Sequence, residues 1–117
     1  MENAMIGLEE LIDALSRSDR RALESQLTRL MTHVIKWKVQ PERRSRSWRN
    51  TILNARTAIA RLQRHVPSLN RSVIEEDWDE LIEVARREAE GETNLDILPL
   101  SLTWKEVFED HYTLENP

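Results

Sequence analysis

Residues 48–66 decide the fold, and they run WRNTILNARTAIARLQRHV. Their apolar members recur at steps of four, three, four, three and four: Trp48, Ile52, Ala55, Ile59, Leu62 and Val66. Steps of three and four bring side chains to one face of an α-helix, because the helix has 3.6 residues per turn. The spacing therefore predicts a helix over about 46–65, with an apolar seam that packs against other helices. Pro67 stops this helix, since proline has no amide hydrogen to donate.

Similar patterns precede this stretch. Apolar residues at helical spacing predict a short first helix over roughly 5–16 and a second helix over about 19–38. Ser18 is the expected N-cap of the second helix. Pro41 ends the second helix near Val39, because proline disfavours the helical conformation in the residue before it.

A fourth helix is predicted over roughly 69–90, where apolar residues again lie at helical spacing. Ser68 or Asn70 is the expected N-cap, and Gly91 is the expected C-terminal stop.

The pattern changes from helical to alternating in the segment 95–102. Leu98, Leu100 and Leu102 alternate with other residues, which is typical of extended backbone. A single strand has no partner for a ladder, so this segment predicts a strap across the bundle. The sequence TWKE at 103–106 has the capping-box form and predicts a short helix through about Asp110. The predicted fold class is all-α: an up-and-down helical bundle of three long helices, with a short N-terminal helix and a C-terminal extended strap with a short helix.

Composition limits the classes of protein that remain. The 117 residues predict one helical-bundle domain over 1–117, and two glycines with four prolines leave few turns. The absence of cysteine excludes disulfides, thiolate catalysis and cysteine-bound zinc. Neither a membrane-spanning run nor a signal peptide is recognisable, so a cytoplasmic protein is expected.

The most informative segment for function is residues 36–49, which we call the cationic turn. It carries six positive charges against Glu42 alone, a net charge of +5, whereas the whole chain carries −4. Arginine can clamp phosphate and aromatic rings can stack on bases, so a nucleic acid or an anionic partner is one hypothesis. Ser45 or Ser47 as an N-cap would add backbone amides to such a site. The candidate residues of the turn are Trp37, Arg43, Arg44, Arg46, Trp48 and Arg49.

The chain also contains a rival acceptor for these cations. Residues 75–92 hold nine acidic residues against two arginines, and several carboxylates repel one another at i,i+4 spacing. Docking the cationic turn against the start of the fourth helix, at Glu76 and Asp79, would satisfy both charge clusters. An intramolecular salt-bridge cluster, a protein-binding surface and a nucleic-acid site therefore stay open as three interpretations.

Sites for chemistry are weakly indicated. All-helical nucleotide pyrophosphatases gather Mg²⁺ with paired Glu and Asp motifs, which Glu9, Glu10, Asp13 and the run 76–79 imitate only loosely. Such a metal-dependent hydrolase is the third alternative for the function. None of the three histidines has helical metal-ligand spacing, and His33 is interpreted as a hydrogen-bonded structural residue. No catalytic residue, cofactor or metal ligand is predicted.

The run HVIKWKVQPERRSRSW at 33–48, together with RSDRRALES at 17–25, resembles one bacterial family, the domain of unknown function 29 family. The match extends over roughly 8–113. The resemblance implies an all-helical fold and transfers no activity. Family members usually have a further N-terminal segment, which is missing or shortened here, so we expect an exposed apolar face that a second copy could cover.

These observations predict an uncharacterised bacterial cytoplasmic protein that acts as a non-enzymatic interaction or accessory module. A protein partner or self-association, including a homodimer, is expected. Nucleic-acid or anionic-ligand binding through the cationic turn is the alternative, and no membrane partner is predicted.

Overall fold

The computed structural model describes the backbone of residues 2–114 and the side chains of residues 16–114. This part of the chain is helical and contains no strand, which confirms the all-α class. The helices are α1 (Glu2–Val39), α2 (Arg46–His65), α3 (Arg71–Glu76), α4 (Trp78–Thr93) and the π-helical turn α5 (Lys105–Glu109), with a 3-10 turn at Pro41–Arg43. None of the described helices combines the length and the apolar character that crossing a bilayer requires.

Helix α1 is a single helix, so the predicted break at Ser18 is wrong. No proline or glycine stands between Gly7 and Pro41, and serine or aspartate inside a helix costs only about 0.5 kcal/mol. That cost is too small to interrupt the helix. The apolar side chains predicted for a separate first helix lie outside the described residues. The end of α1 at Val39 is confirmed.

Helix α1 lies between α2 and α4 and packs against both. Helix α2 is antiparallel to α1, because Leu62 borders the same groove as Ser25 while Trp48 lies against Lys36. Helix α4 is parallel to α1, because Leu81 lies beside Leu27, the Ala85 carbonyl accepts from Thr32, and Glu92 reaches Lys36. The start of α4 is therefore at the opposite end of the bundle from the cationic turn.

The core lies on both sides of α1, whose residues between Leu30 and Trp37 are almost all buried. The seam of α2 contributes the buried Ile52, Ala55 and Ile59, as its spacing predicted. Helices α2 and α4 hardly touch each other in the described structure. The C-terminal segment is hydrogen-bonded to both, through Arg56 of α2 and Trp78 of α4. Val107 of α5 is 0% exposed.

The fourth predicted helix is divided at Asp77 into α3 and α4, and it continues past Gly91 to Thr93. Asn70 is its N-cap, with Oδ1 accepting from the Val73 amide at 3.2 Å. The predicted stop at Gly91 is wrong. Asn94 ends α4 instead, since it adopts the left-handed conformation at φ 58° that asparagine tolerates better than most residues.

The predicted strap is present as residues 95–102, which form neither helix nor strand. Arg86 holds it by donating to the Ile97 carbonyl at 2.7 Å. Ile97 and Leu102 are buried whereas Leu98 is 83% exposed. The capping box is confirmed, because the amides of Thr103 and Glu106 each donate to the side chain of the other residue.

Candidate functional site: the cationic turn

The backbone of the cationic turn is held at both ends. The Gln40 amide donates to the Lys36 carbonyl at 3.0 Å, and the Arg43 backbone amide donates to the Gln40 carbonyl at 2.9 Å across the 3-10 turn. Ser45 is the N-cap of α2, with Oγ accepting from the Trp48 amide at 3.1 Å. The arginines of this segment therefore project from a defined backbone.

The two lysines of the turn form ion pairs with glutamates of the same chain. Lys36 is 7% exposed, and its Nζ lies 4.8 Å from the centre of the Trp48 ring and 3.7 Å from Oε2 of Glu92. Lys38 donates to Oε2 of Glu106 at 2.6 Å. Burial raises the pKa of Glu106, but the hydrogen bonds from Lys38 and Thr103 outweigh burial, so its pKa is lowered overall.

The arginines of the turn are left without carboxylate partners. Arg43, Arg44 and Arg46 are exposed, and no Asp or Glu among residues 16–114 lies within 4.0 Å of them. Arg44 is oriented from within, because its Nε donates to the Trp37 carbonyl at 2.8 Å and its guanidinium lies 5.1 Å from the Trp37 ring centre. Arg49 is half-buried, and its Nε has no described hydrogen-bond partner.

The predicted pairing of this turn with Glu76 and Asp79 is not formed among the described side chains. Helix α4 is parallel to α1, so its start lies beside Glu24 and its end beside Lys36. The fourteen residues from Glu24 to Lys38 correspond to about 20 Å of helix. The acidic residues that reach the turn are Glu92 at the end of α4 and Glu106 of α5, and the charge pattern alone singled out neither.

Trp37 belongs to the core and Trp48 packs against it. Trp37 is 5% exposed and meets the Tyr112 ring edge-on at 5.4 Å between centres. Trp48 is half-buried under the ammonium of Lys36. Burial therefore removes the Trp37 ring from base stacking, and Lys36 occupies one face of the Trp48 ring.

Two arginines outside the turn are structural, and the sequence analysis missed both. Arg56 donates to three carbonyls of the C-terminal segment, at Val107 (2.8 Å), Asp110 (2.9 Å) and Glu106 (3.3 Å). Burial lowers its pKa. Arg86 joins Glu83 and Glu90 to the strap. The position of Arg56 in the sequence could have indicated its structural role. It lies four residues after Ile52 and three before Ile59, and therefore beside the apolar seam of α2.

The remaining titratable candidates give no reactive centre in the described part of the chain. His33 is half-buried and its Nδ1 donates to the Arg29 carbonyl at 2.8 Å, as expected of a structural histidine. Burial lowers the pKa of His33, with Lys36 adding to the effect and the bond to Arg29 opposing it. No three described acidic or histidine side chains are grouped as metal ligands would be. Glu9, Glu10 and Asp13 lie outside the described side chains.

The family model described as "Domain of unknown function DUF29" matches residues 5–113, which is nearly the whole chain. The chain belongs to this family. No curated protein and no solved structure matches it at a significant level. Membership of the DUF29 family confirms the resemblance carried by residues 17–48, but the family has no assigned function. The geometry of the cationic turn is therefore the basis for a functional proposal.

Proposed function

We propose that this DUF29 protein is a non-enzymatic interaction module and that its binding surface is formed by Arg43, Arg44 and Arg46, hereafter the arginine surface. The observation that carries this proposal is the absence of a carboxylate near these three exposed side chains within residues 16–114. On sequence grounds given above, we place the protein in the bacterial cytoplasm.

Local structure makes the arginine surface suited to binding an anion. Nearby lysines are neutralised by Glu92 and Glu106, whereas the arginines are not. Arg44 is already oriented by the Trp37 carbonyl, so less side-chain entropy is lost when it binds. Guanidinium groups pair with carboxylates through two parallel hydrogen bonds, which gives geometric specificity as well as attraction.

An acidic protein surface fits the arginine surface better than a nucleic acid does. Trp37 is buried, and Trp48 is partly buried with Lys36 over one face of its ring, so the turn offers little ring surface for base stacking. The chain carries a net charge of −4, and the exposed Glu76 and Asp79 would repel a long polyanion. A protein partner needs to contact only the arginine surface.

Affinity purification from the native cells tests this function. The bait is the wild-type chain, a variant with Arg43, Arg44 and Arg46 changed to Ala, or a control with Arg17, Arg61 and Arg64 changed to Ala. The control removes the same charge from exposed arginines that form no described ion pair. We expect wild type and control to retain the same proteins and the arginine-surface variant to lose them. Identical recoveries with all three baits would contradict the proposal.

Nucleic-acid binding is the second candidate, supported by the local charge of +5 in the cationic turn. Titration of single-stranded DNA or RNA at several salt concentrations tests it. Binding by this route would weaken as salt rises, and the loss of one phosphate contact would reduce the salt slope by about 0.7. A salt slope that is the same for wild type and for the arginine-surface variant would exclude the turn as the nucleic-acid site.

A further inference from the structure

The end of α3 and the start of α4 present a second set of charges without described partners. Glu76, Asp79 and Glu80, hereafter the acidic patch, are exposed, and no Lys or Arg among residues 16–114 lies within 4.0 Å of their carboxylates. Their neighbours are compensated, since Arg71 pairs with Glu75 and Arg86 pairs with Glu83. Three uncompensated carboxylates thus stand within five residues of the chain.

The acidic patch and the arginine surface lie at opposite ends of the same bundle. Asp77 and Leu81 lie beside Glu24 of α1, whereas the turn follows Val39. The axial separation is about 20 Å, which is far beyond the reach of an arginine side chain. One molecule therefore cannot bring its two charge clusters together without unfolding. Two molecules that lie side by side in antiparallel orientation can pair the clusters of one with those of the other.

We infer that the arginine surface binds the acidic patch of a second copy of this chain, in a twofold antiparallel pair. This inference rests on the proposed function, because it names the partner of the arginine surface. A twofold axis makes the two contacts identical, so three cations meet three carboxylates at each end of the pair. The arrangement leaves neither charge cluster facing a like charge, which is electrostatic complementarity of the kind that fixes orientation at interfaces.

One exposed apolar side chain lies near the middle of such a pair. Val84 is 49% exposed on α4, and it lies between the acidic patch and Glu92, close to the level at which Thr32 meets Ala85. This level is midway between the two charge clusters along α1, so the twofold axis passes near it. Val84 of each copy then contacts the other copy and buries an apolar side chain that the single chain leaves in water.

Solution mass with matched charge reversals tests the pairing. One variant carries Arg43→Glu, Arg44→Glu and Arg46→Glu, and the other carries Glu76→Arg, Asp79→Arg and Glu80→Arg. We expect wild type to show twice the 13.8 kDa of the single chain by light scattering, and each variant alone to show the single mass. An equimolar mixture of the variants returns to the double mass, because one contact is then native and the other has both charges exchanged. A control reversal at Arg61 and Arg64 leaves the wild-type mass unchanged.

Three results would overturn the inference: a single mass for wild type up to millimolar protein, a double mass for either reversed variant alone, or no recovery in the mixture. Helical circular dichroism checks that each variant folds. If a variant does not fold, wild type in rising sodium chloride decides, because exposed ion pairs are screened by salt. A double mass that persists at high salt would contradict the pairing. A single-mass wild type whose arginine-surface variant still loses another protein would overturn the inference and leave the proposed function standing.

Discussion

Arg56 fixes the C-terminal segment to α2 through a single guanidinium group. It donates to the carbonyls of Glu106, Val107 and Asp110, and it lies 5.5 Å from the centre of the Tyr112 ring. The Tyr112 hydroxyl in turn donates to the Glu106 carbonyl, and burial raises its pKa to about 12. One side chain thus satisfies carbonyls that a π-helical turn leaves free at its end.

Replacing Arg56 with Ala should lower the free energy of unfolding by roughly 2 kcal/mol, because the carbonyls lose charged donors in a partly buried place. Urea denaturation measures the change. Arg61→Ala on the same helix is the control, since Arg61 is exposed and forms no described hydrogen bond. Equal changes in the two variants would show that the hydrogen bonds of Arg56 do not contribute to stability.

His33 makes stability depend on pH in the mildly acidic range. Its pKa in the folded chain lies below the ordinary value of 6.5 because burial disfavours the charged ring. As pH falls below 6.5, the unfolded chain therefore binds this proton before the folded chain does, and stability is lost. The contribution of His33 to the free energy of unfolding is therefore complete above about pH 6.5. It decreases as pH falls toward the pKa that His33 has in the folded chain.

The change His33→Gln should reduce the loss of stability between about pH 7.5 and about pH 5.5. Urea midpoints of wild type and variant at the two pH values measure the difference. The exposed His65 provides the control variant, His65→Gln, for which we expect the wild-type pH dependence. An unchanged pH dependence in His33→Gln would show that His33 does not cause the loss of stability at acidic pH.

At the scale of the elements, α4 shows that a glycine near the end of a helix does not by itself end the helix. Gly91 lies inside α4, it has no positive φ, and a Cβ built on it would meet nothing within 4 Å. Asn94, by contrast, occupies the left-handed conformation that ends the helix.

Changing Gly91 to Ala should therefore raise the free energy of unfolding by about 0.5–1 kcal/mol, since alanine is the better helix former. Changing Asn94 to Ala should lower it by about 1 kcal/mol, since alanine is strained at positive φ. Thermal or urea denaturation of both variants measures the two signs. Destabilisation by Gly91→Ala would mean that the helix ends at Gly91 after all.

Local patterns predicted most elements because their causes are local. Pro41 ends α1, the seam of α2 repeats along one helix, and the capping box begins the turn of α5, all within a few residues. The break at Asp77 could not be predicted this way. It accompanies a long-range contact, in which the Trp78 indole donates to the Leu102 carbonyl at 2.9 Å and stacks on Trp104.

The candidate site shows the same limit. The sequence identified the arginines of the cationic turn and the tryptophans beside it, and the structure brings these residues together. The predicted pairing with Glu76 and Asp79 was wrong because it depends on the direction of α4 relative to α1. That direction is set by the packing of the whole chain and not by a local pattern. Charge composition cannot distinguish the start of an acidic helix from its end.

At the scale of the whole molecule, the C-terminal segment is part of the core rather than an addition to it. Ile97, Leu102 and Val107 are buried, and hydrogen bonds tie their segment to both α2 and α4, which otherwise hardly touch. The bundle therefore depends on residues that come last along the chain.

A chain that ends at Asn94 should lose cooperative unfolding and bind a hydrophobic dye, because the faces of α2 and α4 toward this segment become exposed. Calorimetry and dye fluorescence measure both effects. As a control, removal of residues 115–117 alone should leave the wild-type transition unchanged. A sharp transition in the shorter chain would show that the helices close on each other without the strap.

The position of Lys36 between the Trp48 ring and Glu92 gives the three lysine amines of this protein unequal chemical accessibility. A lysine amine attacks the acyl carbon of a reagent only where the reagent can reach it from solvent. Lys38 and Lys105 should therefore be modified first, and Lys36 should be spared until the end of α4 separates from the turn. Mass spectrometry of peptides after brief acetylation would then report that separation without any engineered probe. Early acetylation of Lys36 would mean that the ammonium group spends its time in water.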